Sequence, residues 1–235
     1  MTEIQPPMSV VIVGATGGLG RPIAERLAQG GAVLTLVGRD RDRLGALGLP
    51  GHVMPTDIRK AGGAQRIMAE ALSVHGRIDG VVFAAGAVAF GGVDDTSDDV
   101  VIDLFTLNTL APIRLLQAAL PALRLSAKDG RNPFVVNISA VVAEQPQPGM
   151  AAYSASKAAL AAYDAAAARE LRREGIRLID ARPPHTETGL ADRPLAGTAP
   201  RLPVGLAADA VAQRIVDAIH SGEKDLPSTA FAPSS

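Results

Sequence analysis

The chain has no cysteine, few aromatic residues and no surplus of either charge. The absence of cysteine among its 235 residues rules out a disulfide framework, a thiolate nucleophile and a cysteine-ligated metal. It also fits a cytoplasmic protein. Aromatic residues make up only 3% of the chain, too few to build a platform on which nucleic-acid bases stack. With 23 basic and 24 acidic side chains the formal charge is −1, so no basic field exists to recruit nucleic acid or an anionic membrane. Long apolar runs are missing as well. The most apolar later stretch, Gly80–Gly92, is short and broken by glycines, so no membrane span is expected. Residues 1–8 read as a leader without the basic-then-apolar pattern of a secretory signal. His52, His75 and His220 lack metal-ligand spacing and Asp94, Asp95, Asp98 and Asp99 lack a calcium-loop pattern, so no metal site is expected.

What the chain does have is concentrated first at Val10–Gly20, Val-Val-Ile-Val-Gly-Ala-Thr-Gly-Gly-Leu-Gly. A β-branched strand runs into Gly14, Gly18 and Gly20, and helical spacing follows from Leu19. Strand, glycine turn and helix in that order form a phosphate-binding corner. The glycines allow a tight turn and close approach of a pyrophosphate, and the helix start offers unpaired N–H groups.

Strand and helix signals then alternate without repeats or linkers. Helices are predicted over Leu19–Gln29, Arg41–Leu47, Ala64–Val74, Ala151–Glu174 and Ala207–His220. Strands are predicted over Val33–Val37, His52–Met54, Val81–Ala84, Phe134–Ile138 and Ile176–Ala181. A long helix capped by Thr96 or Ser97 should be bent or divided at Pro112 and continue to about Leu125. This pattern predicts one α/β domain over residues 9–235, a Rossmann-like doubly wound parallel sheet flanked by helices, with ligands at the carboxyl ends of the strands. The proline- and glycine-rich stretch 183–205 reads as a substrate loop.

Tyr153-Ser154-Ala155-Ser156-Lys157 opens the alanine-rich helix, and a spacing of four puts tyrosine and lysine on one face. A phenol of pKa about 10 is a sluggish acid–base group near neutrality. An adjacent ammonium is expected to lower that value by ~1–3 units, which would fit Tyr153 to exchange a proton with a carbonyl or alcohol oxygen. Taken alone, the spacing equally suits an exposed helical pair.

Together, the glycine corner, Tyr153 with Lys157, Asn108-Thr109-Leu110-Ala111-Pro112, Ala85-Gly86 and Asn137-Ile138-Ser139 resemble the short-chain dehydrogenase/reductase family, in its short single-domain form, from about Ser9 to His220. The resemblance implies catalytic roles for Tyr153, Lys157, Asn108 and Ser139. It implies that Gly14, Thr16, Gly17, Gly18, Leu19 and Gly20 line a cofactor pyrophosphate, that Asp57 and Ile58 meet the adenine, and that Ala84, Ala85 and Gly86 pack near the nicotinamide ribose. Lys157 would also grip the ribose hydroxyls, with Tyr153, Pro183 and Thr188 completing the cofactor contacts. Asn108 would hold a water in a proton relay at a helix kink, although a kinked or capped helix alone also explains it. A small-molecule carbonyl or alcohol substrate and a homodimer or homotetramer, paired through the helix with nine alanines in Ala155–Ala168, are implied too. Packing of that helix on its own sheet would demand the same composition.

The pattern departs at Pro184, which replaces the glycine of the family's Pro-Gly-x-x-x-Thr ending at Thr188, and more consequentially at one catalytic position. The family's catalytic serine falls thirteen residues before the tyrosine, and here that residue is Ala140. Ser139 is one residue early, and one step along a strand reverses the side-chain direction. Three accounts stand. A bulge brings Ser139 inward, a donor such as Gln145 or Gln147 replaces it, or carbonyl reduction is impaired. The last account leaves two alternatives to an oxidoreductase: a nucleotide-binding or regulatory protein with weak turnover, or a non-redox dehydratase or isomerase.

Cofactor choice is read at the end of the second strand, Gly38-Arg39-Asp40, where an arginine suits the NADP 2′-phosphate and an acid would suit the NAD ribose. Arg39 comes first and Asp40 begins the next turn, so NADP(H) is expected ahead of NAD(H).

Overall fold

A computed structural model describes residues 7–231 of the chain. Positions 1–6 of the predicted leader lie outside the described residues. Six strands, β1 (Ser9–Val13), β2 (Val33–Gly38), β3 (His52–Pro55), β4 (Gly80–Phe83), β5 (Phe134–Ile138) and β6 (Arg177–Ala181), form one sheet in the order β3-β2-β1-β4-β5-β6. Every pairing in it is parallel. The domain is therefore the predicted doubly wound sheet. The order reverses between β1 and β4, which opens a crevice at their carboxyl ends.

Helices α1 (Gly20–Gln29), α2 (Arg41–Gly45), α3 (Gly63–His75), α4 (Asp98–Phe105), α5 (Ala111–Lys128), α6 (Ala151–Leu171) and α7 (Ala208–Ser221) complete the domain. Because strand side chains alternate, the nearly continuous apolar runs serve two cores at once. Val10, Ile12, Leu34, Leu36 and Val136 pack with Ile23 and Leu27 of α1 and Ile215 and Ile219 of α7. Val11, Val13, Val37, Val81 and Val135 face the other way, onto Ile67 of α3 and Leu115 and Leu123 of α5.

The long central helix divides differently from expectation. Its break is a π turn, Thr106–Leu110, and Pro112 lies beyond it in the first turn of α5. The proline still supplies the cause. It has no N–H to give the carbonyl of Asn108 four residues earlier, and its ring would crowd that carbonyl, so the backbone widens there. Ser97 is the cap of α4, its Oγ accepting from the N–H of Val100, and Asp40 caps α2 by accepting from the N–H groups of Asp42 and Arg43. The two ends of the 183–205 stretch are joined by a small parallel ladder, β7 (Thr186–Glu187) with β8 (Leu206–Ala207).

Candidate functional site

The crevice begins at the glycine corner. Gly14 has φ +85°, and a methyl group there would lie 2.7 Å from the backbone nitrogen of Ala85, so β1 and the end of β4 approach too closely for any other residue. A methyl on Gly20 would overlap the carbonyl oxygen of Gly14, which accepts from Gly17 N at 2.9 Å to close the turn. Thr16, Gly17, Gly18 and Leu19 thus form a cradle ahead of the amino end of α1. Thr188, from the loop after β6, lies across it: a methyl on Gly18 would come within 2.5 Å of Thr188 Cβ. A bare backbone concavity at a helix start fits a dinucleotide pyrophosphate.

At the far end of the crevice, Arg39 follows β2 and is exposed. Asp57, after β3, is paired with Arg59 through Oδ2 to NH2 at 2.8 Å. Its carboxyl is held below the usual range, first by the hydrogen bond from Arg59 against the cost of burial, with Arg39 adding a smaller attraction. Ile58 beside it is buried. Asp40 is occupied as a cap, so Arg39 is the group that the β2 end presents.

Three residues meet above β4 and β5. A methyl on Gly86 would lie 3.5 Å from Asn108 Oδ1 and 3.6 Å from Lys157 Nζ, so that glycine keeps open the space these side chains border. The π turn carries Asn108 inward, fully buried. Asn108 Nδ2 donates to Ala87 O at 2.9 Å and to Ser156 Oγ at 3.0 Å, while Oδ1 accepts from Ala87 N at 3.0 Å. Its side-chain amide is thereby satisfied within the protein. Ser156 Oγ in turn donates to Tyr153 O at 2.8 Å, which ties the π turn to the first turns of α6. Lys157 Nζ donates to Ile138 O at 2.8 Å.

The expected lowering of the phenol by lysine is absent. Burial pushes Tyr153 up to about 12, and the ammonium is directed at Ile138. Burial also pulls Lys157 down to about 8, against attraction by Asp180 and Asp164.

Ser139 is not brought beside Tyr153. Its hydroxyl donates to Asp180 Oδ1 on the neighbouring strand β6. No bulge intervenes: Ala140 is extended, at φ −175° and ψ 163°, so the alternation along β5 carries through. The Ala140 methyl instead packs with the cluster of Val88, Phe90, Leu104, Val142 and Tyr153. Gln145 and Gln147 do not take the serine's place either, since both are exposed and Gln147 Nε2 donates to Gln145 O. Pro183 O accepts from Val141 N at 3.0 Å, and the 183–205 stretch is pinned over the apolar cluster by Leu195 N to Val88 O at 2.8 Å and Phe90 N to Ala196 O at 2.9 Å.

Sequence reasoning missed a buried polar group between β5, β6 and α6. Asp164 accepts from Asn137 Nδ2 at 2.8 and 3.0 Å. Asp180 takes the hydroxyl of Ser139 and the guanidinium of Arg182, at 2.6 Å. Arg182 also meets Glu144 and Asp225. A signal existed: Asp164 is the one acid within the Ala155–Ala168 run and lies seven residues from Lys157, two turns along the same face. Among the described residues no cluster of three or more His, Cys, Asp or Glu could hold a metal ion, and no helix is long and apolar enough to cross a membrane.

Comparisons with known proteins bear on the same elements. The short chain dehydrogenase family model matches residues 8–196. An uncharacterized oxidoreductase of Staphylococcus epidermidis is 28% identical over 224 residues, covering 94% of this chain and 95% of that protein. Dehydrogenase/reductase SDR family member 7B of Mus musculus is 30% identical, covering 96% of this chain and 74% of its own. Among solved structures, a short-chain dehydrogenase of Streptomyces avermitilis superposes with a TM-score of 0.83 at 26% identity, covering 95% of this chain and 90% of its own. One from Sphingobium yanoikuyae, in complex with NADPH, gives 0.81 at 29% identity, covering 94% and 87%. With the family model matched across the glycine cradle, the π-turn asparagine and the Tyr153–Lys157 helix, the chain belongs to the short chain dehydrogenase family.

Proposed function

We propose that this chain transfers hydride reversibly between NADP(H) and a small carbonyl–alcohol pair, with Tyr153 as the acid–base group. The observation that carries the reading is the convergence of Asn108, Lys157 and Gly86 around one space at the end of β4, beside the glycine cradle. Gly14, Thr16, Gly17, Gly18, Leu19 and Gly20 would hold the pyrophosphate. Arg39 would meet the 2′-phosphate, Asp57 and Ile58 the adenine side, and Ala84, Ala85 and Gly86 the nicotinamide ribose. Pro183 and Thr188 would close the site from the 183–205 loop, which bounds the substrate pocket. The bound dinucleotide supplies the hydride.

The chain's own part is the proton. A phenol held protonated by burial is in the form that gives its proton to a carbonyl oxygen. Lys157, one turn away, is the charge that compensates the phenolate left behind. In steady-state assays of NADPH oxidation over a panel of carbonyl compounds, turnover is expected with apolar ones. Tyr153→Phe should reduce it by about 10²–10⁴-fold while NADPH still binds measurably. Binding of neither pyridine nucleotide, or undiminished turnover in Tyr153→Phe, would overturn the assignment.

The alanine at position 140 supports a second reading, a nucleotide-binding protein of weak turnover. The pocket wall beside Tyr153 carries a methyl group where the resemblance implies a hydroxyl. NADPH binding without oxidation across the panel would favour it.

A further inference from the structure

Lys157 is 4% exposed, and an ammonium so enclosed needs negative charge close by. The hydrogen bond to Ile138 O supplies a dipole only. The charged groups around it come from two elements. On α6 are Tyr153, one turn toward the amino end, and Asp164, two turns toward the carboxyl end. On β6 is Asp180, with Arg182 just beyond the strand. The π turn brings the uncharged Asn108 to the same space, and the end of β5 offers the Ile138 carbonyl between Asn137 and Ser139. Both aspartates are buried, at 1% for Asp164 and 5% for Asp180. Each is held by a side chain of β5: Asn137 donates to both oxygens of Asp164, and Ser139 donates to Asp180. Asp180 shares Arg182 with Glu144 and Asp225. Asp164 makes no ion pair among the described residues, and Lys157 and Arg182 are the cations that act on it.

We infer that Asp164 and Asp180 are positioning residues that raise the midpoint of Lys157: two buried carboxyl groups, locked by Asn137 and Ser139, whose charge on ionising offsets that of the lysine behind Tyr153. The role assigns a use to Ser139, which holds Asp180 in place and does not touch substrate. It also accounts for two carboxyls in a dry interior. Burial, and next the charge of Asp180, push Asp164 up, while the hydrogen bond from Asn137 and the charges of Lys157 and Arg182 pull it back, so the carboxyl and the lysine are electrostatically coupled.

The inference rests on the proposed role of Lys157, yet its test requires no turnover. The chain has four lysines, Lys60, Lys128, Lys157 and Lys224, so protein labelled with [ε-13C]lysine gives a simple pH titration by NMR, with Lys157 assigned from a Lys157→Arg variant. In Asp164→Asn, which keeps the shape, the Lys157 midpoint should fall by about one pH unit or more. In Asp180→Asn it should fall likewise, and further in the double variant, while the three other lysines stay put. Asp164→Glu should restore most of the shift. A merely structural role predicts the opposite sign, because loosened packing admits water and raises the midpoint toward the usual lysine value. An unchanged or raised midpoint in a folded Asp164→Asn or Asp164→Ser variant would overturn the inference. Should Asp180→Asn, which also releases Arg182, fail to fold, the Asp164 variants decide. A wild-type chain that shows the titration shift but oxidises no NADPH would sink the oxidoreductase reading and leave this one standing.

Discussion

At the scale of single residues, two neighbouring positions bear most directly on the proposed chemistry. Ala140 places a methyl group against the Tyr153 cluster, and Ser139 one step earlier is turned onto Asp180. Loss of one oxyanion-type donor elsewhere costs about 3–4 kcal/mol, or 100–1000-fold in rate. Ala140→Ser is therefore expected to raise kcat at least about tenfold with a generic carbonyl substrate, with little change in NADPH binding. Steady-state kinetics check it, and an unchanged or lower kcat would place the missing donor elsewhere. At the other end of the crevice, Asp40 is spent on the cap of α2, and the proposed function gives the choice between cofactors to Arg39. A hydrogen bond to a charged group contributes about 1.5–3 kcal/mol, so Arg39→Asp should shift the NADPH-over-NADH preference by about 10–150-fold toward NADH. Calorimetric titration with both nucleotides measures this directly, and an unaltered ratio would remove Arg39 from the assignment.

The element scale shows how much of the molecule could be read from its sequence. Six strands and the helices between them were legible because apolar runs of four to six residues and 3.6-residue periods are local signals. The glycine cradle and the Tyr153–Lys157 face were legible for the same reason. The π turn was not. Pro112 announces a disturbance, but where the backbone absorbs it depends on which residue must point inward, and Asn108 is drawn in by Ala87 and Ser156 from distant segments. The Ser139–Asp180 contact was equally hidden, since it needs the register of β5 on β6, with Asn137 opposite Asp180. Helix α6 carries a consequence of its own. Asp164 keeps its proton up to about 8 in the folded chain against an ordinary 3.8, so the folded state binds the extra proton between those values. Its contribution to stability is full below about 4 and is lost as the pH rises through about 8. Asp164→Asn should accordingly gain stability relative to wild type between pH 5 and pH 8.5, by more than about 1.4 kcal/mol, the value of one pKa unit. Urea unfolding at the two pH values checks it, and a difference that does not change with pH would contradict it.

At the scale of the whole molecule, the two ends of the sheet have separate tasks. The carboxyl ends of the strands carry the cradle, the pocket and the 183–205 loop, while the amino ends are fastened by one buried carboxylate. Asp79 Oδ2 accepts from Ser9 N at 2.8 Å and Arg77 Nε at 2.9 Å, and Oδ1 accepts from Ser126 Oγ at 2.8 Å and Arg131 Nε at 3.0 Å. A single side chain thereby joins β1, the start of β4, α5 and the approach to β5, at 2% exposure. Burial opposes its charge, but the donors prevail and hold the carboxyl below its usual range. The stabilisation is therefore present above about 4 and is lost as the pH falls through the depressed value. Removing one partner of a buried charged group costs about 3–5 kcal/mol, because the remaining charges are left uncompensated. Asp79→Asn is expected to lower the unfolding free energy at pH 7 by that amount and to flatten the loss of stability below pH 4. Because Asp79 lies at the end of the sheet opposite the crevice, the variant that remains folded should bind NADPH as the wild type does. Denaturation across pH together with nucleotide titration separates the two effects, and a fall in NADPH affinity without a fall in stability would contradict this division of labour.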